Sequence, residues 1–135
     1  MARLSDRGAR LLLERNFASV ATIRLDGTPH VSPVWIDYDG ENVLFNTAVG
    51  RAKERHLRRD PRVTVQVFSL DDPYQWVAVS GTAELTHDGA DAHIDKLSKK
   101  YFGLDVYPSR EPGEQRVLVR VRPERVTEDL KDEPC

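Results

Sequence analysis

The residues best suited to chemistry in this sequence are the cations clustered between positions 51 and 62. Six basic side chains and two carboxylates give this segment a formal charge of +4, whereas the whole chain carries −2. Arg51 and Lys53 follow a strand-like run at 42–46 and open a short helical pattern. A helix N-terminus presents unpaired backbone N–H groups and the positive end of its dipole. The segment therefore predicts a site for an anionic group such as a phosphate.

The other cations of this segment are explained more simply as surface charge. They recur at helical spacing and so lie on one stripe of the helix: Arg55, Arg58, Arg59 and Arg62. Glu54 and Asp60 are close enough along the chain to form ion pairs with them. We therefore expect at least half of these arginines to be solvated charges rather than ligand contacts.

Other patterns that carry chemistry are missing. No two of the four histidines are spaced by four residues around a glutamate, so no metal site is expected. Neither the Gly-x-Ser-x-Gly elbow nor the Gly-x-Gly-x-x-Gly fingerprint occurs, which disfavours a serine hydrolase and a Rossmann nucleotide site. Asp37 and Asp39 are interpreted as turn residues rather than general acids, and no catalytic residue is identified.

The elements that must position these residues are mostly strands. Strand patterns rich in β-branched residues or alternating with period two predict six strands, at 17–23, 30–38, 41–47, 63–68, 76–85 and 117–122. Helical spacing predicts helices at 5–15, 51–60 and 89–102. Asp-Gly turns join the first three strands, which makes the sheet antiparallel from its start. Six such strands with peripheral helices favour a closed or partly closed barrel, because closure removes exposed sheet edges.

Four residues or segments carry local predictions. Pro33 cannot donate a ladder hydrogen bond, so its strand is expected at a sheet edge or to be irregular there. Gly81 indicates a bulge or a close backbone approach. Gly103 is predicted to end the last helix, and the polar tail after Val126 is expected to be frayed.

Length and composition describe an ordinary globular chain. Its 135 residues, 31% of them charged, are expected to form one domain over 1–135 with an ordered core at about 5–127. No apolar run is long enough for a membrane span, and no signal peptide is visible at the N-terminus. The only cysteine is Cys135, which fits a reducing, cytoplasmic setting. The near-neutral charge argues against nucleic-acid binding.

Four segments in this order carry a resemblance to a known family: LDGTPHVSPVW (25–35), GRAK (50–53), LRRDPRV (57–63) and SGTAEL (80–85). With them the chain resembles the split-barrel flavin and deazaflavin oxidoreductase superfamily, whose namesake is pyridoxamine 5′-phosphate oxidase. It looks most like the small branch that binds coenzyme F420. The resemblance covers about 5–127 and implies a mainly β, six-stranded antiparallel split barrel of the FMN-binding type.

The resemblance also implies a site. Family members are homodimers with two cofactor sites at the subunit interface. Their cofactor ring lies against positions that match Val31, Ser32, Pro33, Val34 and Trp35. Their ribityl and phosphate groups are held by positions that match Asn46, Thr47, Arg51, Ala52 and Lys53. A position that matches Trp76 approaches the cofactor, often from the partner chain, although both tryptophans are also compatible with a dimer interface.

The chain departs from its relatives in ways that narrow the expected activity. Val31 and Ile36 replace a basic residue and a lysine of the vitamin-processing oxidase, which disfavours oxidation of pyridoxamine phosphate. His56 stands where the F420-binding branch often has asparagine. The cationic segment exceeds the charge that one phosphate needs, and the oligoglutamate tail of F420, which FMN lacks, is one explanation for the excess.

Four functions remain open from the sequence. The first is an F420-dependent reductase that passes a hydride to an unsaturated small molecule, with backbone donors near 32–35 stabilising charge on the ring. The second is an FMN-dependent oxidase or reductase. The third is a cofactor carrier without turnover, and the fourth is a nucleic-acid-binding barrel that uses the 51–62 segment.

Overall fold

The structure is a computed structural model that describes residues 2–130, so Cys135 lies outside the described residues. Three helices are present: α1 (Asp6–Leu13), α2 (Ala52–Arg59) and α3 (Ala90–Phe102). The strands are β1 (Phe17–Ile23), β2 (Pro29–Trp35), β3 (Asp37–Tyr38), β4 (Val43–Ala48), β5 (Arg62–Phe68), β6 (Trp76–Thr86) and β7 (Arg116–Asp129). No helix within residues 2–130 is long and apolar enough to cross a bilayer.

All seven strands belong to one antiparallel sheet in the order β2-β1-β5-β6-β7-β4-β3. The first and last strands of this order, β2 and β3, are separated along the chain by Ile36 alone. A sheet whose opposite ends are joined by one residue must curl until those ends meet. The structure therefore confirms a mainly β, partly closed barrel with helices around it.

The prediction of six strands is wrong by one, because the predicted strand 30–38 breaks at Ile36. Ile36 is fully buried, and its backbone bonds to side chains of α3 instead of a neighbouring strand. Its N–H donates to the Tyr101 hydroxyl at 3.0 Å, and its carbonyl accepts from Lys100 Nζ at 2.6 Å. These bonds satisfy buried backbone groups that the open seam of the barrel leaves without a ladder partner.

Tyr101 and Lys100, the two side chains that bond to Ile36 at the seam, have strongly shifted pKa values. The Tyr101 hydroxyl also donates to the Asn16 carbonyl at 2.5 Å, and Lys100 Nζ donates to the Leu12 carbonyl at 2.7 Å. Burial lowers the pKa of Lys100 to about 8 and raises the pKa of Tyr101 to about 12. The seam thus links α1, the β2–β3 crossing and α3.

The interior of the barrel is filled mainly by β-branched side chains from alternating strand positions. β5 contributes Val63, Val65 and Val67, and β7 contributes Val117, Val119 and Val121. Leu12 of α1 and Leu57 of α2 pack against the same cluster. The period-two pattern of the sequence thus corresponds to the core face of these strands.

Several local predictions are confirmed. Gly103 ends α3 with a φ of 75°. Pro33 lies in β2, the first strand of the sheet order, and so at a sheet edge. At Gly81 the β6–β7 register shifts, and a Cβ there would lie 1.9 Å from the Arg122 carbonyl oxygen.

Two boundaries differ from the prediction. α1 ends at Leu13 rather than 15, and Asn16 instead holds the connection with side-chain bonds to the Leu11 carbonyl and the Leu70 N–H, both at 3.0 Å. β7 continues to Asp129, so the expected fraying after Val126 is wrong for residues 127–129, and the tail at 131–135 lies outside the described residues. β6 is long enough to pair with these last residues, and the sequence of the tail alone does not show that partner.

Candidate functional site

A cavity of about 360 Å³ lies where β2, β4, the start of α2, α3 and β7 come together. Seven of the eleven predicted site residues line it: Pro33, Val34, Trp35, Asn46, Thr47, Arg51 and Lys53. The other lining residues are Phe17, Ile94, Leu97, Phe102, Tyr107, Ser109 and Arg116. The lining thus includes three cationic side chains and no carboxylate.

The remaining predicted residues lie outside the cavity. Val31 is 61% exposed on the edge strand β2, and Ala52 is the first residue of α2. Ser32 is reached indirectly, because its hydroxyl accepts from Lys53 Nζ at 2.9 Å. Trp76 begins β6, where it pairs with Phe68 and Asp129, and does not line the cavity of its own chain.

One end of the cavity combines two cationic side chains with the start of a helix. Arg51 precedes the first turn of α2 and makes no side-chain cap bond to it. Lys53 lies in that turn, and burial, followed by the nearby charge of Arg51, lowers the pKa of Lys53. A phosphate there would meet the helix N-terminus and two cations together.

Thr47, another residue of the cavity wall, has a buried hydroxyl without a partner. Thr47 of β4 lines the cavity and is 1% exposed, and within residues 2–130 its Oγ1 has no hydrogen-bond partner. Leaving a buried hydroxyl unsatisfied costs about 1–3 kcal/mol. A ligand oxygen that bonds to Thr47 would remove that cost, so this residue fits the phosphate assignment independently of the charges.

The surface arginines of the 51–62 segment bond to their own chain. Arg58 pairs with Glu54 at 2.9 Å, and Arg62 pairs with Asp60 at 2.7 Å, as the surface-charge interpretation predicts. Glu54 also accepts from the Gly50 N–H at 3.0 Å. The other two members of the stripe, Arg55 and Arg59, donate to backbone carbonyls of Gly50 and Ile23.

Aromatic side chains form another part of the wall. The Trp35 ring stacks on Tyr101 with centroids 5.2 Å apart and planes 9° apart. Phe102 and Tyr107 meet Trp35 edge-on at 4.9 and 6.0 Å. Trp35 is therefore held at the cavity by α3 and the loop that follows it, and it offers a flat apolar surface to a ring-shaped ligand.

The cavity wall also contains a buried arginine that the sequence prediction missed. Arg116 Nε donates to Asn46 Oδ1 at 2.8 Å, and its Nη1 pairs with the Glu114 carboxylate. The guanidinium also lies 5.3 Å from the centre of the Tyr107 ring. Arg116 stands in a strand that alternates with buried valines, so only the assembled β4–β7 pair shows its role.

Asp37 is not a turn residue, which corrects the sequence interpretation. It is buried in β3 and accepts from His93 Nε2 at 3.2 Å and from Lys96 Nζ at 3.0 Å. Burial alone would raise the pKa of Asp37, but bonds from His93, Lys96 and the Tyr38 N–H outweigh it and hold the pKa far below its ordinary value.

Asp39 behaves as predicted. Its carboxylate accepts from the N–H groups of Glu41 and Asn42 at 2.9 and 2.7 Å, which fixes the β3–β4 turn. Within residues 2–130 no three histidines, cysteines or carboxylates are grouped so that they could hold a metal ion.

Comparisons with known proteins agree with this architecture. The sequence model of the pyridoxamine 5′-phosphate oxidase family matches residues 4–128. An F420H2-dependent biliverdin reductase of Mycobacterium tuberculosis is 30% identical over 132 residues, which are 96% of this chain and 93% of that protein.

Solved structures give the same result. A structure named F420 reductase matches with a TM-score of 0.80 and 31% identity, over 92% of this chain and 98% of that one. A putative pyridoxamine 5′-phosphate oxidase from Listeria innocua matches with a TM-score of 0.70 and 21% identity, over 91% and 95%. This last likeness is one of fold alone.

Proposed function

The chain belongs to the pyridoxamine 5′-phosphate oxidase family, and from that premise we propose that it is a coenzyme F420-dependent reductase. Its fold is the split barrel of that family. Two relatives at 30% and 31% identity are both named for F420, and both are named as reductases. That agreement supports oxidoreductase chemistry, and it favours F420 over FMN as the cofactor.

The observation that carries the proposal is the unpartnered hydroxyl of Thr47 beside the cationic first turn of α2. Phosphate oxygens only accept hydrogen bonds, so they match a group of side chains and N–H groups that can all donate. Arg51 and Lys53 would neutralise the charge, and the first-turn N–H groups of α2 would bind the oxygens. These residues fit the phosphate of the cofactor.

The ring of the cofactor is assigned to the wall formed by Pro33, Val34 and Trp35. β2 is an edge strand, so the backbone groups on its outer side are not used by the sheet. Such groups are available to the polar edge of a flavin-like ring. When bound in its reduced form, F420H2, the cofactor would supply a hydride for an unsaturated acceptor, while apolar residues such as Ile94 and Leu97 exclude water from the cavity.

The site is completed by a second copy of the chain in this proposal. Apolar side chains are exposed around the cavity and edge strand, among them Phe17, Val31 and Phe102. Trp76 lies away from the cavity of its own chain, so its predicted contact requires the partner. A homodimer that acts in the cytoplasm on a small molecule, without nucleic acid or membrane, is the form we propose.

A side-by-side titration tests the cofactor. We expect added F420 to quench the tryptophan fluorescence of the protein saturably, because Trp35 lines the cavity, and FMN to bind more weakly. Tighter binding of FMN would replace the proposal with the FMN-dependent alternative. Binding of neither would overturn both.

Turnover separates an enzyme from a carrier. The first acceptor to test is biliverdin, the substrate in the name of the M. tuberculosis relative. We expect oxidation of F420H2 that depends on both the protein and the acceptor. Binding of F420 without turnover across a panel of conjugated acceptors would support the carrier function instead.

A further inference from the structure

A chain of hydrogen-bonded polar side chains, three of them buried, leads from the barrel seam to the cavity wall. It runs from Asp37 of β3 through His93 of α3 and Asn46 of β4 to Arg116 of β7. Only Asn46 and Arg116 line the cavity. The other two are titratable residues that the proposed function leaves without a task.

The hydrogen bonds of Asn46 fix the orientation of its side-chain amide. Its Nδ2 donates to the Ala90 carbonyl at 2.9 Å, and its Oδ1 accepts from Arg116 Nε at 2.8 Å. A carbonyl can only accept and an arginine Nε–H can only donate, so the two bonds allow one orientation of the amide. The second Nδ2 hydrogen then points to His93 Nδ1, at 3.3 Å.

The same donor and acceptor rules fix which ring nitrogen of His93 carries the proton. Its Nδ1 accepts from Asn46, and its Nε2 faces the Asp37 carboxylate at 3.2 Å. A carboxylate only accepts, so the proton of the neutral ring is on Nε2. A second proton, on Nδ1, would set two donors against each other at Asn46.

Turning the Asn46 amide does not relieve that conflict. Its Oδ1 would then face His93, but its Nδ2 would meet the Nε–H of Arg116 and its oxygen would meet the Ala90 carbonyl. Protonation of His93 therefore removes its bond to Asn46, and the amide then holds Arg116 with only the Ala90 bond to support it. The charge on the histidine is coupled to the placement of the guanidinium.

Arg116 has a donor left for a ligand. Nε bonds to Asn46 and Nη1 to Glu114, and within residues 2–130 no acceptor is found for Nη2. The side chain is 2% exposed and lines the cavity. Because Glu114 offsets its charge, the Nη2 donor suits an oxygen acceptor, whether carbonyl or carboxylate, in whatever molecule fills the cavity.

We propose that Asp37 and His93 are positioning residues that act through Asn46 to hold Arg116 toward an oxygen atom of the bound ligand. Neutral His93 accepts from the amide that holds Arg116, and a proton on Nδ1 would remove that support. On the Asp37 side of the histidine, the charged groups are Asp37 of β3 with Lys96 and Lys100 of α3. Beyond Asn46 they are the Arg116–Glu114 pair, Arg51, whose charge acts on Glu114, and the titratable His87, whose Nδ1 lies 2.9 Å from the Arg116 carbonyl oxygen. The ligand part of this inference rests on the proposed function, whereas the coupling itself does not.

Two substitutions of the histidine separate positioning from packing. The side-chain oxygen of His93→Asn stands at the position of Nδ1 and can accept from Asn46, without titrating. The amide of His93→Gln reaches the position of Nε2, so it keeps the bond to Asp37 and loses the acceptor. If His93 only filled space, the larger glutamine would be the better replacement.

The coupling is measured first without any ligand, on the Arg116 Nε–H resonance in ¹⁵N–¹H spectra between pH 8 and 5. Arg116→Lys assigns the signal by removing it. We expect the signal to shift and exchange faster with water as the wild type is acidified, and to stay constant in His93→Asn. A wild-type signal independent of pH, or the same response in His93→Asn, would overturn the proposal.

The ligand arm uses F420 affinity at pH 7.5 and the KM of the electron acceptor. We expect His93→Gln and Arg116→Lys to weaken binding about tenfold and His93→Asn to stay near the wild type. A change in F420 affinity places the oxygen on the cofactor, and a change in KM alone places it on the acceptor. Unchanged values in both would overturn the role of Arg116.

His56→Gln is the matched control, because His56 is a second buried histidine with one side-chain bond, to Thr22, outside the cavity. It should leave the Arg116 signal and its pH response unchanged. If the Arg116 response appears but F420 does not bind, the proposed function fails while the coupling stands.

Discussion

At the scale of single residues, a substitution of Thr47 tests whether its unpartnered hydroxyl belongs to a ligand site or is a packing defect. Thr47→Val removes a hydroxyl without a partner, so we expect the unfolding free energy of the ligand-free protein to stay the same or rise by about 1 kcal/mol. The same change should weaken cofactor binding about fivefold, because a donor to the phosphate is lost. Denaturant unfolding and calorimetric titration measure the two effects.

Thr22→Val is the matched control, since Thr22 is also fully buried in a strand but bonds to His56 at 2.8 Å. It should lower the unfolding free energy by about 1–3 kcal/mol and leave cofactor affinity unchanged. If Thr47→Val destabilised the protein as much as Thr22→Val does, Thr47 would have a partner in the protein after all.

Lys53 tests the charge at the same end of the cavity. Lys53→Ala should weaken cofactor binding by about 1–3 kcal/mol, the scale of a hydrogen bond to a charged group. The fold should survive, because within the part of the chain that the structure describes Lys53 bonds only to Ser32. Arg120→Ala removes a cation of β7 that pairs with Glu84, and calorimetry should give it wild-type affinity. Wild-type affinity in Lys53→Ala would contradict the phosphate assignment.

At the scale of elements, the barrel seam depends on Tyr101. Tyr101→Phe keeps the ring stacked on Trp35 but leaves the buried Ile36 N–H and the Asn16 carbonyl without this partner. We expect a loss of about 1–3 kcal/mol in unfolding free energy. Tyr74→Phe, at a tyrosine that is 80% exposed, is the control and should change little. Equal stability of the two variants would show that the seam does not need the hydroxyl.

The packing of α3 on β3 predicts a pH dependence through Asp37. Its pKa is lowered in the folded state, so the unfolded chain takes up a proton at higher pH than the folded one. This contribution to stability is complete above the ordinary carboxyl pKa of 3.8 and is lost as the pH falls below it.

Asp37→Asn should lower stability at pH 7 by about 1–3 kcal/mol and flatten its decline between pH 5 and 3. Denaturant unfolding across this range measures both. Asp105→Asn, at an exposed carboxylate paired with Lys99, should follow the wild-type curve. A variant curve for Asp37→Asn parallel to the wild type would exclude the carboxylate as the source.

At the scale of the whole molecule, the sequence predicted what local patterns determine. Val63, Val65 and Val67 mark a core strand by their spacing, and the cations after β4 mark a helix start. The break at Ile36 was not predictable, because its partners Tyr101 and Lys100 lie over 60 residues further along the chain.

The candidate site also has one part that local sequence patterns predict and another that they do not. The proposed phosphate end comes from one continuous stretch, β4 to the start of α2, so residue types and spacing are enough to predict it. The polar chain from Asp37 through His93 to Arg116 is assembled from separate elements, and no residue type or spacing within one segment predicts it. Any contact of Trp76 with the site depends on a second chain, which no single sequence position reveals.

The central claim, that the cationic first turn of α2 and Thr47 hold the phosphate of a redox cofactor, is tested most directly by a crystal structure of the protein with F420. We expect phosphate density within hydrogen-bond distance of Thr47 Oγ1 and the start of α2, with the ring against Trp35. Bound F420 whose phosphate lies elsewhere, with this end of the cavity empty, would contradict the account.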